Sequence, residues 1–407
     1  MRMTALTCAL ALIATGVHAG GAQAAGARWI GSWGASPAMP MGAAYNGRIP
    51  ATPTFNNQTV VQVVRLSAGG ARLRLRLSNE YGTHALAIGA VRVALVGDDG
   101  VMVAGSDRAV NFGGAATATL PPGAPLISDP VTLPTKALAK LRVSLFLPAD
   151  TNGCTCHMSG SELAQVLPGD ATKQTLGKLA GPQTYRAFLT EVDVAATSPG
   201  PVVVAFGDSI TDGYQSSTGA NTRWPDRLAD RFTAKTPGRP IGIVNAGIGG
   251  NRVMSDGVVA IFGQAALSRF DRDVLSVPGV THVVVLEGVN DLGASKSDPP
   301  KAETLIAGYR QLIERGHAHG LKMIGATILP YGGAAYFAAP GEAERQKINA
   351  WIRTSHAFDG VIDFDAATRD PAKPERLRAD LQSGDWLHPN DAGYRVMGDA
   401  VDLTLFR

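Results

Sequence analysis

The sequence predicts two unlike parts, an all-β domain of sandwich or jelly-roll type over residues 25–197 and an α/β domain with a parallel sheet over residues 198–407. Two patterns carry this. Up to about Val194 hydrophobicity alternates with period two and turn residues recur, whereas beyond Gly200 continuous apolar strands alternate with helical patterns. Composition agrees: 45% of the residues are hydrophobic, so cores can be buried, and the 48 glycines among 407 residues follow no collagen-like period. The chain is also too long for one ordinary hydrophobic core.

The first 24 residues read as a leader. Arg2 opens a short positive region, small and apolar residues run from Ala5 to Val17, and Ala22-Gln23-Ala24 offers an A-x-A cleavage site. The apolar run is shorter than the ~18–20 residues of a membrane span, and no later stretch approaches that length. A retained membrane anchor is the alternative; a lipoprotein is less favoured, because Cys8 lies inside the apolar run. The mature protein is therefore expected to be periplasmic or secreted, with cleavage near Ala24. The formal net charge is only +3 and no Lys/Arg run reaches four residues, which argues against a nucleic-acid partner. Cleavage would leave Cys154 and Cys156, followed by His157. A local disulfide is favoured over a metal site, since no second Cys or His pair stands nearby. No metal or cofactor is expected.

Within the first part, Thr59–Leu66 is rich in β-branched residues, and Arg72–Leu77 alternates Arg with Leu. Ala87–Val96 and Leu141–Leu147 continue the theme, with turns at Gly97–Gly100, Asn111–Gly114 and Pro121–Gly123. The Arg72, Arg74 and Arg76 stripe reads as a solvated face or as partners for acids on adjacent strands, with contact to an anionic glycan as the alternative. Ala195–Gly200 is a short connector. In the second part, strands are expected at Val202–Phe206, Ile241–Val244, His282–Leu286, Lys322–Leu329 and Gly360–Phe364. Helices are expected at Trp224–Lys235, Val258–Leu275, Ala302–His319, Glu342–His356 and Asp391–Leu405. Functional groups of such sheets gather at the carboxyl ends of the strands.

Three candidate segments lie there. Gly207-Asp208-Ser209-Ile210 can present a serine hydroxyl at a strand end, although on its own it reads equally well as a helix-capping turn. It is not the G-x-S-x-G elbow, because position 211 is Thr. Asn245–Asn251 and Gly288-Val289-Asn290-Asp291 combine glycines, which let a backbone N–H approach a ligand, with an Asn amide. With the N–H of Ser209 they can supply three oxyanion donors, or they are simply tight turns. A dinucleotide reading of Gly247-Ile248-Gly249 fails because position 252 is Arg. A fourth segment, Asp385-Trp386-Leu387-His388, can set a carboxylate against an imidazole Nδ1 and leave Nε2 free as a base, though a lone D-x-x-H is more often a capping turn.

Taken in order, these four segments resemble the blocks of the SGNH, or GDSL-type, hydrolases, a family of esterases and lipases. The resemblance covers residues 202–395; its only departure is Ile210, where the family expects Leu. It implies a flavodoxin-like three-layer α/β/α domain, a Ser209–His388–Asp385 triad and an oxyanion hole built from Ser209, Gly250 and Asn290. The first part, from Trp29–Trp33 through Ser78–Gly82, resembles the β domain that precedes the catalytic domain in some secreted bacterial members. The implied activity is that of an exported serine esterase acting on small-molecule or polysaccharide esters. Short acyl groups, acetyl on carbohydrate above all, are favoured because the catalytic half shows no long apolar lid and aromatics make up only 6% of the chain. A lipase or arylesterase is the alternative, and a non-catalytic glycan-binding protein a remote one.

Overall fold

The computed structural model describes residues 27–407 apart from 48, 176, 180–184 and 198; the leader expected over residues 1–24 lies outside the described residues. Up to Ala196 two five-stranded antiparallel sheets form the β half. In one sheet Leu189–Ala196 lies between Arg28–Gly34 and Gly70–Ser78, and the latter also pairs with Pro125–Ile127 and Val131–Thr135. The other runs Ala164–Pro168, Gln58–Arg65, Lys140–Leu147, Ala90–Val96, Arg108–Val110. The period-two pattern is realised as expected: Leu73, Leu75 and Leu77 are fully buried, while the intervening arginines face the other way. Those arginines are engaged within the protein. Arg74 bonds Asp193 at 2.8 Å, Arg76 lies 3.9 Å from Glu191, and the guanidinium groups of Arg72 and Arg74 both lie over the Trp29 ring. The strand expected over Ala87–Val96 is split at Gly89, where a Cβ would lie 2.5 Å from the Phe146 ring.

The second half is a parallel sheet with helices packed around it. Its strands are β1 (Val202–Gly207), β2 (Gly242–Gly247), β3 (His282–Leu286), β4 (Lys322–Ala326) and β5 (Gly360–Ile362), in the flavodoxin-like order β2-β1-β3-β4-β5. β1 and β3, at the centre, are buried along their whole length, which is why they read as unbroken apolar runs rather than alternating ones. The main helices are α1 (Ser209–Asp212), α2 (Trp224–Lys235), α3 (Ala266–Phe270), α4 (Val289–Leu292), α5 (Ala302–Ala318), α6 (Ala339–Thr354), α7 (Phe364–Thr368) and α8 (Asp391–Ala400). α5 buries Leu305, Tyr309, Leu312, Ile313 and Gly316, a helical stripe that covers the sheet.

The expected helix over Val258–Leu275 is broken. A single turn at Ala260–Phe262 ends at Gly263, whose φ of 71° is left-handed; α3 follows, and a wider π-type turn spans Asp271–Leu275. The cause is a side chain: the Asn251 amide donates to the carbonyls of Phe262 and Gln264, both at 2.8 Å, and holds that stretch out of helical register. The expected strands over Lys322–Leu329 and Gly360–Phe364 also end early, the second because Asp363 caps α7 by accepting from Ala366 N–H.

The two halves share a continuous core. Arg28–Gly34 packs on β2, whose outer edge carries no neighbouring strand of the parallel sheet. Contact is close enough that a Cβ on Gly242 would lie 2.2 Å from the Gly31 carbonyl oxygen and one on Gly34 2.5 Å from Val244. The Ser67 hydroxyl accepts from Ile243 N–H at 2.7 Å, and Tyr81 donates to Gln264 at 2.9 Å. The β half thereby covers a sheet edge that would otherwise offer unpaired backbone groups.

Candidate active site

All four sequence segments converge at the carboxyl ends of β1, β2 and β3. β1 ends at Gly207, where a Cβ would lie 2.2 Å from Thr211 Oγ1 and 2.5 Å from the Leu286 carbonyl, so only glycine fits. Asp208 caps α1 by accepting from Ile210 N–H at 2.9 Å, which places Ser209 first in a single helical turn. Gly213, at φ 94°, closes that turn by donating to the Ser209 carbonyl.

Ser209 Oγ lies 2.9 Å from His388 Nε2, and His388 Nδ1 lies 2.6 Å from Asp385 Oδ2. Because a carboxylate only accepts, Nδ1 carries the proton and Nε2 is left with its lone pair toward the serine. Asp385 Oδ1 also accepts the N–H groups of Leu387 and His388, both at 2.9 Å, so the turn itself fixes the carboxylate. Burial works against ionisation of Asp385, but the bonds from the His388 ring and backbone outweigh it and hold the carboxyl well below the usual carboxylate range. The Tyr214 ring packs edge-on against His388 with centroids 4.7 Å apart. Trp386, two residues before His388, takes a left-handed φ of 60° and lies under the Arg376 guanidinium.

Crowding around the oxyanion candidate Gly250 requires glycine there. Gly250 has φ 76°, and a Cβ there would lie 2.5 Å from the Phe262 ring. A Cβ on Gly249 would be 4.0 Å from Ser209 Cβ, so this loop passes beside the serine. Among the described residues the N–H groups of Ser209 and Gly250 have no acceptor. Asn290 Nδ2 donates one hydrogen to the Asn251 carbonyl at 3.0 Å and keeps the second; its Oδ1 lies 3.4 Å from the Tyr336 hydroxyl, which donates to it. Asp291 joins the two loops by accepting from Val253 N–H at 2.9 Å.

A buried charge that sequence reasoning missed ties these strand ends together. Arg269 on α3 is fully buried and donates to the carbonyls of Gly207 and Ala246, to Asn251 Oδ1 and to Asp273, each at 2.8–2.9 Å, and to Glu287 at 3.2 Å. Its guanidinium also stacks on Phe206, 4.1 Å from the ring centroid. One cation thus holds the ends of all three strands from which the candidate residues project. The signal available in sequence was the four-residue spacing of Arg269 and Asp273, set within the charged run Arg269-Phe270-Asp271-Arg272-Asp273. Two further buried acids, Asp208 and Glu287, feel its charge, and Asp291 lies near both of them. Burial pushes Asp208 up to about 7 and Asp291 up to about 6, and raises Glu287 well above the usual range.

The sequence model of the GDSL-like lipase/acylhydrolase family matches residues 205–396. No curated protein sequence matches the chain. Among solved structures the chain is similar to a G-D-S-L family protein from Desulfitobacterium hafniense, with 26% identity over 49% of this chain and 97% of that one and a TM-score of 0.38. It is similar to a carbohydrate acetylesterase family member from Sinorhizobium meliloti, at 18% identity, 49% and 94% coverage and TM-score 0.40. A variant of an acetyl xylan esterase from Geobacillus stearothermophilus aligns at 21% identity, with 50% and 93% coverage and TM-score 0.39.

Proposed function

Residues 205–396 belong to the GDSL-like lipase/acylhydrolase family, and from that premise we propose that this chain is an exported serine esterase with Ser209 as nucleophile, His388 as base and Asp385 as its orienting acid. The observation that carries the reading is the unbroken chain of contacts from Ser209 Oγ to His388 at 2.9 Å and from His388 to Asp385 at 2.6 Å. In this reading Ser209 Oγ attacks the ester carbonyl while His388 Nε2 takes its proton, and Asp385 stabilises the imidazolium that forms. The oxyanion rests on Ser209 N–H, Gly250 N–H and the uncommitted Asn290 amide hydrogen, donors that need no rearrangement as charge develops. His388 returns the proton to the leaving alcohol. Water, activated by the same base, then hydrolyses the acyl-enzyme.

The substrate we infer is a short-acyl ester, acetyl on carbohydrate in the first place, with residues 25–197 as an accessory domain. Tyr214, 44% exposed, packs beside His388 and offers an accessible aromatic ring suited to a sugar rather than an enclosed acyl tunnel. Export is supported by the leader pattern and by the Cys154–Cys156 disulfide, a bond that persists in oxidising compartments. No helix of the described residues is long and apolar enough to cross a membrane.

Labelling with an active-site phosphonate followed by peptide mapping tests the assignment. The label is expected on Ser209, and Ser209→Ala is expected to lose both labelling and hydrolysis of p-nitrophenyl acetate. A label elsewhere, or a Ser209→Ala rate above about a tenth of wild type, would remove the assignment. Faster turnover of p-nitrophenyl decanoate than of the acetate would favour the lipase alternative.

A further inference from the structure

We propose that His157, carried by the β half, is a positioning residue for the nucleophile: it holds the helical turn of Ser209 through a buried pair with Asp212. The proposal rests on the reading of Ser209 as nucleophile and gives the β half a share in the site.

His157 lies in a segment that is itself fixed. The Cys154–Cys156 disulfide closes the stretch before it; Ala38 N–H donates to the Cys156 carbonyl at 2.9 Å, Phe188 N–H donates to the Thr155 carbonyl at 3.0 Å, and Cys156–His157 pairs with Arg186–Ala187. The imidazole is buried and spends both nitrogens. Nδ1 lies 2.9 Å from the Ser36 carbonyl oxygen, and Nε2 lies 2.9 Å from Asp212 Oδ1. A carbonyl oxygen only accepts, so Nδ1 carries hydrogen; a carboxylate on the other side asks the same of Nε2, which makes the ring an imidazolium. Burial alone would lower its pKa, but Asp212 and the Ser36 carbonyl outweigh that and raise it.

Asp212 ends the turn that Ser209 begins, and it too is buried. The turn has no room to drift: a Cβ on Gly247 would lie 2.2 Å from Asp212 N, so α1 is packed directly on the strand leading to the Gly250 loop. The same β-half segment grips the chain beyond α1. Ser161 donates to the Gly213 carbonyl at 3.4 Å and accepts from Gly219 N–H at 2.9 Å; Glu162 lies 2.9 Å from Arg186 and 3.6 Å from Arg223, whose side chain crosses Gly213. Arg186 and Arg223 are thus the cations, and Glu162 and Asp208 the further acids, around the His157–Asp212 pair. The hydrogen bonds of the His157 ring go to Ser36 and Asp212, whereas those of Ser209 Oγ and the His388 ring run to each other and to Asp385, so the two pairs are separate. What they set is the height and rotation of α1, and through it the direction of Oγ and of the Ser209 N–H.

The test uses the full chain with His157→Gln, Asp212→Asn and the double variant, each at a temperature where its melting curve shows it folded. Both single variants are expected to lose about 10- to 100-fold in kcat on p-nitrophenyl acetate, the scale of a misplaced reacting group, with KM changed by less than about twofold. Phosphonate labelling of Ser209 should slow in parallel. The double variant restores a neutral amide pair and should be faster than either single change. If His157→Gln does not fold, Asp212→Asn and the double variant carry the same comparison. Folded variants that label and turn over at the wild-type rate, a loss confined to KM, or a double variant no better than the weaker single one would overturn the proposal. A wild-type protein that fails to label at Ser209 would instead overturn the parent reading, and this inference with it.

Discussion

Replacing Asn290 by Ala isolates one oxyanion donor, and the structure separates its catalytic cost from its structural one. The amide makes two ground-state bonds, to the Asn251 carbonyl at 3.0 Å and from the Tyr336 hydroxyl at 3.4 Å. The side chain is only partly buried, so water can refill both. At about 0.5–1.5 kcal/mol per bond, the stability loss should be roughly 1–3 kcal/mol. That corresponds to a fall in Tm of several degrees in a domain of this size. The second amide hydrogen matters only when charge develops, and its loss should lower kcat by about 10²–10³, close to 3–4 kcal/mol of transition-state stabilisation. Initial rates on p-nitrophenyl acetate, measured well below the melting transition, should therefore show a large fall in kcat with little change in KM. A folded Asn290→Ala protein with kcat within about threefold of wild type would refute the oxyanion assignment, because a donor in that position is worth far more.

Other perturbations address the remaining parts of the site. Asp385→Asn keeps a hydrogen-bonding side chain but no longer enforces the tautomer with Nε2 free, so esterase turnover should fall by on the order of 10⁴; a loss below about tenfold would mean that the turn alone orients His388. Asp208 has a folded pKa of about 7, against about 3.9 in an unfolded chain. Between those values the folded state keeps a proton that the unfolded chain has released, so Asp208 lowers stability progressively as pH rises from about 4 to about 7, and adds no further slope above. Asp208→Asn retains the acceptor for Ile210 N–H, and its Tm relative to wild type should climb over that interval; a difference that stays flat or shrinks would contradict the shift. Arg269→Met removes one partner of the buried Asp273 carboxylate and strands the Glu287 carboxyl group and two strand-end carbonyls. Urea unfolding should register a loss of about 3–5 kcal/mol or more, and a change below about 1 kcal/mol would show that the cation is dispensable.

Much of the architecture was legible because its determinants are local. Leu73, Leu75 and Leu77 announce a strand with one buried face, and the runs at Val202–Phe206 and His282–Leu286 announce strands buried on both. The Gly207, Gly250 and Gly288 segments could be placed at strand ends without knowing what they would touch, since close backbone approach demands glycine there. The expected helix over Val258–Leu275 failed for a reason outside its own sequence: the Asn251 amide binds two of its carbonyls from another loop. Arg269 was missed for the same kind of reason: its four-residue spacing from Asp273 is that of an ordinary helical ion pair, while its other acceptors lie on the ends of three separate strands.

The sequence by itself determined the two-part order, the period of each part and the four ordered segments that carry the candidate chemistry, all read from hydrophobic repeats and backbone demands spanning a few residues. Only the tertiary structure decided which groups meet: Ser209 with His388 across 179 positions, His157 with Asp212 across 55, and the β half with the open edge of β2. Periodicity records whether a side chain faces a core, whereas pairing of buried charges and hydrogen-bond donors depends on three-dimensional distance and on desolvation, which no short stretch of sequence contains.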